Sequence, residues 1–420
     1  MITDLIYRCP VCGIFDWFSN GRCTGCSASV KLLSRSRLSI NGKAGHVSYW
    51  YARVLGFELP QAVDGIILGS RRVRLFKETS KEVFKGPAGI IATRFHRRPE
   101  DEGTLSLKEE QLVFFGEKSK ENILLKSISA VTIESNTVII VCRGQGVFFF
   151  DFLEESGKKW EDCVQKAISR YHAPECIIEF CPRIKFASDT RPAPIPAITQ
   201  RPVRVPGHRW YKKEPKILVA ILKVVLKLII TIVFRIRVTG LDLIPAKGPA
   251  ILVANHASFL DSIILSVYPQ RHIWFMAKNS QYAHPLMRWF LKLVRSFPVR
   301  RYTTDVQAVR NALRILQNGH IMGVFPEGER NWDGKMMKFK KGTMRLILAS
   351  GHPVIPVGIR GAYELMPRWT TRIKRVPVTI SFGAPICFEP VPIPAHSSVQ
   401  IRHVTEALRQ RIETLVKQEN

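Results

Sequence analysis

Asn255-His256-Ala257-Ser258-Phe259-Leu260-Asp261 follows an apolar run, Pro249 to Ala254, that Gly248 bounds on its other side. A short apolar run between turn residues has the pattern of a strand buried on both faces, and Phe259 to Val267 reads as a helix. The heptad therefore falls in a strand-to-helix turn at the carboxyl end of a strand, where open α/β sheets place ligands. It holds a base, His256, and a carboxylate, Asp261. The same residues fit a capping box, with Ser258 as N-cap and Asp261 at the third helical position. Residues five apart stand about 140° from one another on an ideal helix. His256 must precede the helix and fold back over its first turn if the two side chains are to meet.

Three more segments follow, each beside an apolar run: Phe297-Pro-Val-Arg-Arg301, Phe325-Pro-Glu-Gly-Glu-Arg330 and Val354-Ile-Pro-Val-Gly-Ile359. In this order the four segments resemble the four blocks of the glycerolipid acyltransferase family typified by 1-acylglycerol-3-phosphate acyltransferases, over about residues 216–420. The resemblance implies that His256 is a general base and Asp261 its orienting partner. It also implies that Glu327 and Gly328 help position an acceptor, that Arg301 and Arg330 lie near its phosphate with Arg300 beside them, and that Lys341 is a secondary candidate. An alcohol is a poor nucleophile, so a neutral imidazole has to take its proton as it attacks a thioester carbonyl. Arginine suits the phosphate because its planar fork grips two oxygens. The implied reaction moves an acyl chain from acyl-CoA or an acyl-carrier protein to the free hydroxyl of a lysophospholipid, first of all 1-acyl-sn-glycerol-3-phosphate. Another lysolipid acceptor is the alternative. One position departs from the family, which commonly has a small or hydroxyl residue where this chain has Glu329.

Around these blocks, the sequence predicts helices over Thr304 to Asn318 and Val399 to Val416, and strands over Val354–Ile359 and Val376–Phe382. Strands alternating with helices imply a mostly parallel sheet. Residues 216–234 are apolar apart from Lys216, Lys223, Lys227 and Thr231. On a helical wheel Lys223 and Lys227 fall within about 20° on either side of Lys216, a single stripe. That pattern suits a helix lying in a membrane interface; a single span with snorkelling lysines and a helix packed on the core are the other readings. Composition agrees with a membrane surface, since 63 Lys and Arg against 34 acidic residues leave a formal charge of +29. Such a charge attracts anionic headgroups and phosphate-rich acyl carriers. It would also attract nucleic acid, but a zinc-ribbon nucleic-acid-binding protein leaves His256 and Glu327 without a role. Met1 to Cys12 has no basic start and no long apolar run, so the expected location is the cytoplasmic face of a membrane.

The first half carries two Cys-x2-Cys knuckles, Cys9/Cys12 and Cys23/Cys26. Four thiolates at this spacing suit one tetrahedral Zn2+, with iron as the competitor, and leave no open coordination position. Such a metal is structural. Cys142, Cys163, Cys176, Cys181 and Cys387 form no comparable set. Residues 43–57 are aromatic and basic, and fit core packing better than a membrane contact. Between Ile66 and Phe152 lie short β-rich runs, including Ile66–Leu68, Val73–Phe76, Gly89–Thr93 and Thr104–Leu107. A helix follows with Trp160, Val164, Ala167, Ile168 and Tyr171 on one face. Antiparallel strands closed by one helix resemble a pleckstrin-homology or GRAM-like domain. The expected organisation is a zinc-ribbon-like module at 1–30, the β-rich domain at 31–172, a proline-rich linker at 173–210 and the α/β acyltransferase domain at 211–420.

Overall fold

In the carboxy-terminal half, the run read as a buried strand is Ala250–Ala254, and every one of its residues is buried. The computed structural model describes residues 4–85, 91–169, 216–293, 295–301, 305–391 and 397–418. The linker at 173–210 lies outside the described residues, as do Gly89, Tyr171, Cys176 and Cys181. Seven strands form one sheet in the spatial order Ile236–Thr239, Val378–Phe382, Val354–Arg360, Ala250–Ala254, Ile321–Val324, Ile273–Lys278 and Ser296–Val299. Every pairing is parallel except that between Val354–Arg360 and Val378–Phe382. Along the central strand, Ala250, Leu252 and Ala254 enter one apolar cluster while Ile251 and Val253 enter another. This period of two, apolar on both sides, is why the strand reads as an unbroken hydrophobic run.

Helices cover both faces. Val306–Gln317, Lys341–Ser350 and Ser398–Lys417 pack on one side, and Asp261–Val267 with Lys216–Phe234 on the other. Two starts are set by side chains. Asp305 accepts from Ala308 N at 2.9 Å, and Ser397 forms a capping box with Gln400. The expected capping box at Ser258 forms only in half: Asp261 Oδ2 accepts from Ser258 N at 2.8 Å, but Ser258 Oγ accepts from Leu260 N at 3.3 Å rather than from Asp261 N. The helix starts at Asp261, two residues later than expected, and Leu260 precedes it without a side-chain cap. Asp261 turns back toward the incoming loop instead.

Seven antiparallel strands make the second large sheet, in the order Ile128–Glu134, Thr137–Cys142, Gly146–Phe152, Ile66–Lys85, Ile91–Lys108, Gln111–Gly116 and Lys120–Leu124. The runs Ile66–Leu68 and Val73–Phe76 belong to one long strand. Its pairing with Ile91–Lys108 slips between Ile66 and Leu68, between Ser70 and Val73, and at two later points. Each irregularity breaks the alternation, so one strand looks like several. The helix Gly157–Ser169 closes this sheet, burying Trp160, Val164 and Ala167. Trp50, Tyr51 and Val54 of the helix Val47–Gly56 are buried, as core packing requires, while Tyr49 is exposed.

The two halves meet directly. Asn279 bonds the backbone of Phe95 in both directions, at 3.1 and 3.2 Å, and Trp332 belongs to the same buried cluster as Leu5, Trp17 and Trp160. Beside that cluster lies an ionic group. Lys158 Nζ reaches Glu161 at 2.6 Å and Asp162 at 2.8 Å, and Asp162 accepts from Tyr7 Oη at 3.0 Å and Tyr51 Oη at 2.8 Å. Removing one partner of a buried ion group costs about 3–5 kcal/mol because it strands the other charge. Lys158→Met should therefore lower unfolding free energy by that order in a urea titration followed by tryptophan fluorescence. An unchanged midpoint would mean that the carboxylates do not depend on the lysine.

Candidate active site

Asn255, at the end of the central strand, extends the ladder with its side chain. It donates to Ile359 O at 2.9 Å and accepts from Ile359 N at 2.8 Å. The chain therefore leaves the sheet in a fixed direction, with His256 as the next residue. Asp261 is fully buried, and its Oδ2 accepts from Ala257 N at 2.7 Å, Ser258 N at 2.8 Å and His256 Nδ1 at 2.9 Å. An oxygen that already takes two backbone N–H groups acts as an acceptor, so Nδ1 carries the imidazole proton. His256 Nε2 then presents a lone pair and has no hydrogen-bond partner among the described residues. The ring stacks on Phe325 with centroids 3.9 Å apart. Burial lowers the imidazole below its ordinary range, with Arg330 and Arg301 acting in the same direction and the Asp261 carboxylate opposing them. The base is neutral at neutral pH.

Glu327 lies beneath the turn, fully buried. Its Oε1 accepts from His256 N and its Oε2 from Met337 N, both at 2.7 Å. Burial pushes this carboxyl up to about 8 against the pull of its two backbone donors. With both oxygens engaged by backbone, Glu327 fixes the position of the His256 turn. Gly328 has φ of +76°, and a Cβ there would come 3.2 Å from Lys340 Cγ. Glycine suits both the turn and the close approach.

The basic residues divide. Arg330 lies near Asp261 and makes no hydrogen bond or ion pair with a described side chain; burial, chiefly, brings it down to about 10, so it remains a cation. Arg301 Nη1 donates to Gly328 O at 2.6 Å, and its Nη2 stands 3.8 Å from Glu134 Oε1. Arg300 faces away, pairing with Glu78 at 2.6 Å and covering the Phe95 ring. Lys341 opens the helix Lys341–Ser350. Glu329, the departure from the family pattern, is taken by Arg368, which also donates to Arg330 O at 3.0 Å and stacks over Trp332. The sequence gives no signal for Arg368, Lys278 or Glu134. They come from distant segments and adjoin Arg301 only in the folded chain.

In the amino-terminal half, the sulfurs of Cys9, Cys12, Cys23 and Cys26 all lie within 4.8 Å of one another. Cys9 and Cys26 are 3.8 Å apart and Cys12 and Cys23 3.6 Å, far beyond a disulfide bond of about 2.05 Å. A tetrahedron with metal–sulfur bonds of about 2.3 Å has edges near 3.8 Å. Backbone N–H groups of Val11, Gly25 and Cys26 approach the Cys9 and Cys23 sulfurs, as they do around thiolates.

Known proteins resemble part of the chain. Residues 235–360 match the family described as Acyltransferase. A chloroplastic 1-acyl-sn-glycerol-3-phosphate acyltransferase of Arabidopsis thaliana is 29% identical over 137 residues, 32% of this chain and 38% of the relative. The 1-acyl-sn-glycerol-3-phosphate acyltransferase of Bacillus subtilis is 26% identical over 195 residues, 45% of this chain and 92% of the relative. The crystal structure of the Thermotoga maritima 1-acyl-sn-glycerophosphate acyltransferase covers 50% of this chain and 86% of its own, at 26% identity and a TM-score of 0.41. The chain spans about two-fifths of the length of the plant plastid relatives it matches. Residues 235–360, which hold His256, Asp261 and the Phe325–Arg330 turn, are an acyltransferase domain similar to that of 1-acyl-sn-glycerol-3-phosphate acyltransferases.

Proposed function

We propose that this chain moves a fatty acyl group from a thioester, acyl-CoA or acyl-carrier protein, to the free hydroxyl of 1-acyl-sn-glycerol-3-phosphate, giving phosphatidic acid. The observation that carries the reading is the 2.9 Å contact between His256 Nδ1 and Asp261, which leaves a neutral Nε2 with its lone pair free. Nε2 takes the hydroxyl proton as the oxygen attacks the thioester carbonyl, and Asp261 steadies the imidazolium on its Nδ1 side. Collapse of the tetrahedral intermediate breaks the carbon–sulfur bond, and the proton passes from Nε2 to the leaving thiolate. Arg330 and Arg301 receive the acceptor's phosphate.

Helix Lys216–Phe234 supports a membrane-surface setting in an unexpected way. Lys223 donates inward to Pro269 O at 2.6 Å and Lys227 lies over the Tyr268 ring, while Val224, Leu228, Ile229 and Ile232 are at least half exposed. Lys223 and Lys227 turn toward the protein, and much of the apolar side beyond them faces out. Leu286 and Trp289 of the helix Pro285–Leu293 are also exposed. We infer that this surface rests on the cytoplasmic face of a membrane; among the described residues, no helix is long and apolar enough to cross one. The antiparallel sheet with its closing helix is read as a pleckstrin-homology-like module, and the four cysteines as holding one structural Zn2+, which ties the ends of the first 26 residues together.

Full-length protein in mixed micelles, given a panel of lysophospholipids and acyl thioesters with products read by mass spectrometry, tests the reaction. His256→Ala should lose about 10²–10⁴-fold in rate with its thermal unfolding unchanged. In the unaltered protein the acid limb of kcat/KM should lie below about pH 6.5, the ordinary imidazole value, because the folded site favours the neutral base. Near-full turnover by the variant would remove His256 from the chemistry.

Arg330→Ala should raise the acceptor's KM about 10–100-fold, the equivalent of one charge-assisted contact worth about 1.5–3 kcal/mol, with the donor's KM unchanged. Elemental analysis should find one zinc per chain. Chelation or Cys9→Ser should lower the melting temperature, since metal binding and folding are linked in small tetrathiolate modules. Iron or no metal in its place would refute the zinc assignment.

A further inference from the structure

The acceptor's proposed headgroup site already contains a carboxylate, and it comes from the other half of the chain. Glu134 ends the strand Ile128–Glu134 and is 5% exposed. Its Oε2 accepts from Arg97 at 3.0 Å and from Ser280 Oγ at 2.9 Å, and its Oε1 faces Arg301 Nη2 at 3.8 Å. Lys278 is also among its cationic neighbours, and burial, with Arg301, Arg368 and Arg330 nearby, brings Lys278 down to about 8 despite Glu134. The preceding residue is fixed too, since Arg368 donates to Ile133 O at 2.9 Å. Ser135 follows with φ of +59°, turning the chain sharply back into the strand Thr137–Cys142.

The contact with Arg301 is loose. A charge-assisted N–H···O bond runs at about 2.7–2.9 Å, and the 3.8 Å separation leaves room for a better acceptor. Arg301 Nε is buried without a hydrogen-bond partner. Glu329, the other acid of the cluster, is committed to Arg368. A phosphate entering toward Arg330 and Arg301 would therefore find donors still available and one negative charge in its way.

We propose that Glu134 is a built-in competitor of the acceptor's phosphate, an affinity-setting residue that the amino-terminal half holds against Arg301 and Lys278. This rests on the acyl-acceptor reading above. The opposite role is a strut that keeps Arg301 in place, and the two differ in sign. A competitor's removal tightens anion binding; a strut's removal loosens it.

Glu134→Gln keeps the shape and one acceptor oxygen, enough for Arg97 and Ser280, while removing the charge. In the full-length variant, KM for 1-acyl-sn-glycerol-3-phosphate should fall about tenfold, as expected from deleting one nearby like charge. The turnover number should stay unchanged, and KM for lysophosphatidylethanolamine, whose headgroup is zwitterionic, should move less. A raised or unchanged KM for the phosphomonoester overturns the proposal. Should the variant fail to fold, hydrogen exchange on the unaltered protein decides: glycerol 3-phosphate should speed exchange at residues 134–137, and slower or unchanged exchange counts against displacement of Glu134. Calorimetry with glycerol 3-phosphate separates this proposal from the reaction itself. Tighter binding by Glu134→Gln without turnover of any lysolipid by either protein supports the competitor role and refutes the acyl-transfer reading, while equal or weaker binding refutes the competitor role.

Discussion

One oxygen atom organises the turn that carries His256. Asp261 Oδ2 gathers the N–H groups of Ala257 and Ser258 and the ring nitrogen of His256. The backbone bonds curl the loop until the imidazole lies over the start of the helix, and the ring bond fixes its tautomer. Local structure and chemistry therefore depend on the same atom. Glu327 repeats the device from below by accepting His256 N, so the base is held by one carboxylate at its ring and another at its backbone. Such over-determination is what the proposed role of His256 as a preorganised general base would require.

The four blocks are legible in the sequence because each is a local signal: an apolar strand followed by a turn that carries polar residues. The central strand reads correctly because both its faces are covered; spacing alone puts His256 and Asp261 about 140° apart on an ideal helix, and it is the resemblance of the four blocks that implies their pairing. Misreadings arise where a local rule meets a stronger nonlocal demand. Ser258 and Asp261 satisfy the spacing of a capping box, and Asp261 does accept from Ser258 N, but the same oxygen is shared with His256 and Ala257 N, Ser258 Oγ takes Leu260 N, and the helix starts later. The long strand Ile66–Lys85 is hidden by its irregular pairing, which interrupts the alternation that marks a strand.

Charge partners are the least legible part. Nothing near Arg300 in the sequence points to Glu78, and nothing near Arg301 points to Glu134, because these pairs bridge 222 and more than 160 positions. The Glu329 departure from the family pattern looks like an intrusion into a phosphate site until Arg368 is placed beside it. The amino-terminal half thus does more than append a module. It contributes Trp332's surroundings, and it supplies two carboxylates to the arginines of the second block.

Helix Asp261–Val267 also acts as a spacer. The turn that carries His256 sits at its start, and Tyr268 and Pro269, against which the lysines of the outward-greasy helix rest, follow its end. Its seven residues rise about 10 Å at 1.5 Å each. On the proposed function, with the apolar side of Lys216–Phe234 lying in a bilayer surface, the spacer and the width of that helix, about 10 Å with its side chains, together bound how far His256 stands from the lipid boundary. A lysolipid would be drawn up from that surface to Nε2 with its hydrocarbon tail nearest the membrane, and the product would return sideways rather than cross water.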